Sequence, residues 1–173
     1  KIHLVPFGEI VPFRPLFSQF IGVLNELGDF SPSGERKLLR TPFGNFAVLI
    51  CWEGIFPHFV RKFVRDGADY LANITNDAWF LKTAAPFQHF IVSVFRAVEN
   101  RVSIVRVANT GVSGFINQYG KITKKTEIFN KDYLTSSVSR RIQQTFYTSY
   151  GDIFAYLCIA LSISFIAWRR FKC

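Results

Sequence analysis

Cys51 stands in an apolar run, Leu49-Ile50-Cys51-Trp52-Glu53, about fifty residues after the opening stretch KIHLVPFGE, which carries Lys1 and Glu9. Together these segments supply a thiol nucleophile, a lysine and a carboxylate. Only a few per cent of an ordinary thiol is ionised at neutral pH, so a cysteine that attacks a carbonyl needs a base or a cation beside it. Lys1 and Glu9 are the right chemical types for that work. Glu53 adds a second carboxylate two residues past the thiol, where it could also favour the start of a following helix through the helix dipole.

The elements that must position these groups follow from the local pattern. Residues 46–51 predict a strand entered by a hairpin turn at Thr41-Pro42-Phe43-Gly44-Asn45. From Pro57 onward, Phe59, Val60, Phe63 and Val64 recur at helical spacing, and Asp66-Gly67 supplies a stop. A strand–cysteine–helix order sets a nucleophile at a sharp turn, where N–H groups at the helix start favour a thiolate and can stabilise an oxyanion. Residues 70–75 read as a buried strand. Pro86 opens a second helix whose expected apolar stripe is Phe87, Phe90, Ile91, Val94, Phe95 and Val98. Residues 102–108 and 112–117 predict two further strands around an Asn109-Thr110-Gly111 turn. Ahead of these, residues 4–12 suggest a short strand, 16–27 a helix or membrane-facing loop, and 28–37 a turn-rich linker. Strands alternating with helices indicate an α/β domain.

The chain has 173 residues, enough for one domain with a sizeable core. It is 49% hydrophobic, with twenty Phe and no Met. A primary translation product begins with Met, so the expectation is a chain that lacks its start. The net charge of +9 is spread over short Lys/Arg clusters. Such a balance suits an anionic membrane surface or nucleic acid, but no zinc-finger or RNP-type motif is present, and no nucleic-acid partner is expected. Cys51, Cys158 and Cys173 have no paired spacing, and His3, His58 and His89 lack ligand partners at suitable spacing, so neither a metal nor a cofactor is expected.

Residues 153–168, IFAYLCIALSISFIAW, carry no charge and are bounded by Asp152 and Arg169. At 1.5 Å per residue the run is about 24 Å long, a little short of the roughly 30 Å hydrocarbon core. Tyr150 and Trp168 suit the two interfaces. The competing reading is a buried helix of a soluble core. The basic tail after Trp168 places the C-terminus in the cytoplasm by the positive-inside rule, with the region before the helix on the other side. The expected organisation is a domain over 1–149, a transmembrane helix over 150–168 and a basic tail over 169–173.

The segments KIHLVPFGEIVP, LICWEGIFP, NITNDAWF, PFQH, RAVENR and RVANTGVSG occur in that order and cover roughly residues 1–150. In this order they resemble the nitrilase superfamily, and most closely its apolipoprotein N-acyltransferase branch. The resemblance implies a nitrilase-like α-β-β-α sandwich, here partial because its N-terminal part is missing, followed by one transmembrane helix. It implies that Cys51 is the nucleophile, that Lys1 contributes to the oxyanion hole, that Glu9 supports Lys1, and that Glu53 is a further acidic residue needed for activity. The triad's glutamate base lies upstream of the lysine in that family, so the chain looks like a truncated enzyme, inactive alone.

Trp52, Asn76 and Trp79 are the substrate-binding candidates. For Asn73, Asn76 and Asp77 the competing role is bracing of the pocket, and for Trp79 and Phe80 it is plain packing. The implied reaction passes an acyl chain from a membrane phospholipid through a Cys51 thioester to the N-terminal amine of a diacylated lipoprotein, at the periplasmic side of a bacterial inner membrane. Two other readings stay open: an amidase acting on small carbon–nitrogen substrates, and an inactive fragment.

Overall fold

The structure, a computed structural model, describes residues 1–6, 9–10 and 30–171, the side chain of residue 171 excepted. The expectation for 16–27 and the isolated Cys173 lie outside the described residues.

Six strands form one sheet in chain order: β1 (Leu39–Thr41), β2 (Gly44–Ile50), β3 (Tyr70–Thr75), β4 (Ser103–Ala108), β5 (Gly114–Ile116) and β6 (Ile122–Lys125). β2, β3 and β4 run parallel, and the flanking pairs are antiparallel. Parallel neighbours need crossovers, and two helices supply them. Helix α1 (Pro57–Arg65) joins β2 to β3, and α2 (Ala85–Asn100) joins β3 to β4.

Register explains where the core lies. Ala47, Leu71, Ile104 and Ile116 stand side by side across β2 to β5, all buried, under Phe59, Val60, Phe63, Val64, Phe90 and Ala97 of the two helices. Two residues further along, the same face changes character: Leu49 is followed across the sheet by Asn73 and Arg106, then Gly114. The opposite face is less covered, with Ile74 and Val107 45% and 55% exposed.

Several local expectations need correction. Residues 4–6 and 9–10 form no strand. The chain turns back, with the Glu9 and Ile10 N–H groups donating to the Val5 carbonyl, because the Glu9 carboxylate also accepts from Val5 N–H at 2.9 Å. The expected stripe of α2 is largely on the outside: Phe87, Ile91, Phe95 and Val98 are exposed, and only Phe90 of the predicted set is fully buried. The buried side of α2 carries His89, Ser93, Arg96, Ala97 and Asn100 instead. Strand β6 gave no clear signal, being four residues with two lysines at a sheet edge.

After β6 the chain crosses back over one end of the sheet. Ser103 Oγ donates to the Ser139 carbonyl, Arg141 N–H to the Asp69 carbonyl, and Arg140 Nε to the Phe43 carbonyl. The short helix α3 (Phe146–Tyr150) is capped by Thr145, whose hydroxyl accepts from Thr148 N–H at 2.9 Å. Thr148 Oγ1 donates to Asn100 Oδ1 at 2.9 Å, and Arg61 Nη1 donates to the Thr148 carbonyl at 3.0 Å, so α3 is pinned to both crossover helices. Gly151 follows at φ +70°, where a β-carbon would also lie 3.0 Å from the Arg61 guanidinium. Helix α4 (Ile153–Phe171) then extends as an exposed apolar rod, none of its 153–170 span buried in the protein.

Candidate active site

Strand β2 delivers Cys51 to the start of a 3-10 turn, Cys51–Ile55, with φ of +55° at Cys51 itself. A non-glycine residue in the left-handed region costs of order 1 kcal/mol and needs its surroundings to hold it there. Two side chains do so. Glu53 Oε2 accepts from Ile50 N–H at 2.8 Å, just before the turn, and Asn73 Nδ2 donates to the Leu49 and Cys51 carbonyls at 3.3 Å each. Gly54 leaves the room for this, since a β-carbon there would lie 3.0 Å from Asn73 Nδ2.

Glu53 is 2% exposed, and its other oxygen accepts from the N–H groups of Ile2 and His3. One carboxylate thus fastens the N-terminal segment to the end of the cysteine strand. Three backbone donors offset the cost of burying its charge. The expectation that it might cap the helix at Pro57 is replaced by this clamp.

Lys1 Nζ donates to both oxygens of Glu9, and the lysine side chain is 10% exposed. Burial alone would raise the Glu9 pKa, but the hydrogen bonds from Lys1 and Val5 and the charge of Lys1 outweigh it and hold the carboxyl below its ordinary value. Lys1, Glu9 and Glu53 therefore join the Cys51 turn in one assembly.

Next to the turn lies a network in which Asn73 and Asp77 brace the site, as one reading of the sequence had it, through Arg106 and His89. Arg106 is 1% exposed. Its guanidinium donates to Asn73 Oδ1 at 2.7 Å and to Asp77 Oδ2 at 2.9 Å. Asp77 Oδ1 also takes the Thr75 hydroxyl at 3.0 Å and His89 Nδ1 at 2.9 Å. Burial would raise the Asp77 pKa, yet the bond from His89 and the charges of Arg106 and His89 bring it below its usual value. Burial lowers the pKa of Arg106, opposed by attraction to Asp77 and to Cys51. A guanidinium still stays protonated. Gly111 makes way for Asp77, because a β-carbon there would fall 2.2 Å from Oδ2.

The aromatic candidates divide. The Trp52 ring lies 6.1 Å from the His89 ring, and the Phe80 ring 5.8 Å from it. Trp79 is 82% exposed and stands apart from this group. Asn76 is also exposed, its Oδ1 accepting from Ala78 N–H in the loop after β3. His89, isolated in the sequence, has Asp77 and Arg106 as neighbours, and His58 pairs with Asp152 at 3.2 Å. Among the described residues no three His, Cys, Asp or Glu gather as metal ligands.

A mixed sheet crossed by two helices, with a cysteine on a left-handed turn at a strand end and a lysine–carboxylate pair clamped beside it, defines a class. The carbon-nitrogen hydrolase family pattern matches residues 1–147, and the chain belongs to that family. Solved structures agree at the level of fold: a carbon-nitrogen hydrolase from Helicobacter pylori (TM-score 0.53, 15% identity, 59% of this chain and 43% of that one) and Nit3 of Saccharomyces cerevisiae (TM-score 0.50, 23%, 57% and 39%).

Within the family, the chain is 45% identical over 172 residues to apolipoprotein N-acyltransferase of Geobacter metallireducens, covering 98% of this chain and 33% of that protein. It is 36% identical over 180 residues to apolipoprotein N-acyltransferase 1 of Treponema denticola (99% and 33%) and 35% over 173 residues to the Thermotoga maritima protein (99% and 34%). The chain thus spans about a third of the length of the curated relatives it matches.

Proposed function

We propose that this chain is the nucleophile-bearing part of an apolipoprotein N-acyltransferase. The observation that carries the reading is the Glu53 clamp, which joins the Lys1–Glu9 pair to the Cys51 turn in a chain whose relatives bear that name.

The chemistry runs in two halves. Cys51 loses its proton to a general base, for which the family resemblance suggests a glutamate upstream of Lys1. Its thiolate attacks an ester carbonyl of a membrane phospholipid. Lys1 and the Trp52 N–H face the oxyanion; the C–O bond then breaks, and the leaving alkoxide takes the proton as lysophospholipid departs. In the second half the neutral α-amine of a diacylated lipoprotein attacks the thioester. The base removes a proton from the new nitrogen centre, the C–S bond breaks, and Cys51 is restored with its proton. In this scheme Glu9 aims the Lys1 side chain, and Glu53 positions both.

Trp52 is proposed to line the acyl path. Asn76 and Trp79, exposed as they are, would meet substrate only at the rim. The proposed organisation keeps the catalytic unit over 1–149, a membrane span from 150 and a basic cytoplasmic end, with the catalytic unit periplasmic. Both substrates hold their acyl chains in a bilayer, which gives α4 its use.

The test uses the full-length gene product in membranes. Phospholipid with a labelled acyl chain should leave a hydroxylamine-sensitive adduct on Cys51, seen by peptide mass spectrometry and absent from Cys51→Ala. No adduct on a folded protein, with release of ammonia from small amides instead, would overturn the reading in favour of an amidase.

A further inference from the structure

Arg106 is a full positive charge placed where α/β cores ordinarily carry an aliphatic residue. It sits on the face of β4 that packs under α2, one row beyond Ile104, and its side chain is 1% exposed. Replacing a buried ion pair by well-packed apolar groups is often neutral or stabilising, so stability alone gives little reason for it.

Its hydrogen bonds have a direction. From His89 and Thr75 the contacts run to Asp77, from Asp77 to Arg106, from Arg106 to Asn73, and from Asn73 Nδ2 to the Cys51 carbonyl at 3.3 Å. The far end of that chain is the residue with the left-handed backbone. Arg106 Nε has no partner, although it is buried, so the guanidinium is not fully satisfied by the groups that hold it.

We propose that Arg106, held by Asp77, is a positioning residue for Cys51: through Asn73 it fixes the strained turn that presents the thiol. This rests on Cys51 being the nucleophile. Lys1 then serves the oxyanion side, while Arg106 holds the turn from behind the strand.

Among the described residues, the other charged and titratable groups packed around this turn are Glu53 on the turn itself, His3 and the Lys1–Glu9 pair on the N-terminal segment, Asp77 and His89 of the same network, and the Arg96–Glu99 pair of α2. Arg96 Nη1 reaches the Ile55 carbonyl at the end of the turn. Glu53 and Glu9 each have their negative charge engaged by donors of their own, and Asp77 lies beyond Arg106. Arg106 is the cation in this group tied to the Cys51 backbone through a single intervening side chain.

The experiment follows thioester formation on Cys51 over a range of phospholipid concentrations, in membranes carrying the full-length protein, with peptide mass spectrometry as readout. Arg106→Gln should lower the maximal rate about tenfold or more, as a misplaced reacting group does, and leave the half-saturating lipid concentration near the native one. Arg106→Lys loses the two-sided bonding and should show the same split. Where Arg106→Gln fails to fold, Asn73→Ala decides, because it removes both bonds to the turn. A folded Arg106→Gln, or failing that a folded Asn73→Ala, with the native maximal rate overturns the proposal. Alkylation of Cys51 by iodoacetamide at one fixed pH needs no lipid: a rate changed by Arg106→Gln in a protein that forms no thioester would sink the acyl-transfer reading and leave this one standing.

Discussion

At Cys51 the chain takes up a backbone conformation that few side chains favour, and the residues that enforce it are spread over four segments. Glycines make the space. Gly111→Ala would place a β-carbon 2.2 Å from Asp77 Oδ2 in an interior that cannot yield by that much. We expect a loss of about 3 kcal/mol or more, seen as a lower unfolding midpoint, while Gly34→Ala, with no atom near its β-carbon, changes little. The depressed Asp77 pKa also fixes a pH dependence. An acid with a lowered folded pKa contributes stability above its unfolded value, near 4, and that contribution fades as pH falls through the folded value. The stability gap between the native protein and Asp77→Asn should therefore be widest near neutrality and shrink from about pH 4 downward. A gap that stays constant to pH 2 would refute this account. Much of the site was legible at this scale because thiol, lysine and carboxylates stand in recognisable words. Arg106 and His89 stand in family-like segments, but their pairing with Asp77 is not legible, because 29 and 12 residues separate the partners.

Elements show how far a pattern carries. The hairpin before β2, the helix opening at Pro57 and the strand at 70–75 all form as their periodicity and punctuation predict. Helix α2 forms too, but its buried side is mixed: Phe90 and Ala97 join the core, and His89, Arg96 and Asn100 share that side while most of the expected stripe stays exposed. Hydrophobic periodicity tells which residues share a face, and it assumes that the greasy face goes inward. Here polar residues go inward as well because they have buried partners, Asp77 for His89 and Thr148 for Asn100. That second contact ties α2 to α3. Thr148→Val should cost about 1 to 3 kcal/mol, since it leaves Asn100 Oδ1 without its donor, and the amides of α3 should exchange hydrogen faster while those of β3 do not. Equal acceleration in both would contradict the view that α3 is a separately pinned element.

For the whole molecule, one apolar rod leaves a mixed sheet domain. Helix α4 has 19 residues, about 28 Å at helical rise, against a hydrocarbon core of roughly 30 Å. Its side chains are exposed all round, and it is long and apolar enough to cross a membrane. Leu161→Arg near its middle should cost about 3 kcal/mol of insertion and lower the fraction of the protein that resists carbonate extraction. Retention equal to the native protein would argue that α4 packs against protein instead.

The sheet's order has a further consequence, for synthesis. Its strands lie in the sequence in which they are made, so each can dock on the one before it while the chain is still emerging. Cys51 follows β2, whereas Arg106, its proposed brace, comes with β4. On that reading the turn at Cys51 stays loose in a growing chain and tightens only when the sheet behind it is two strands further on.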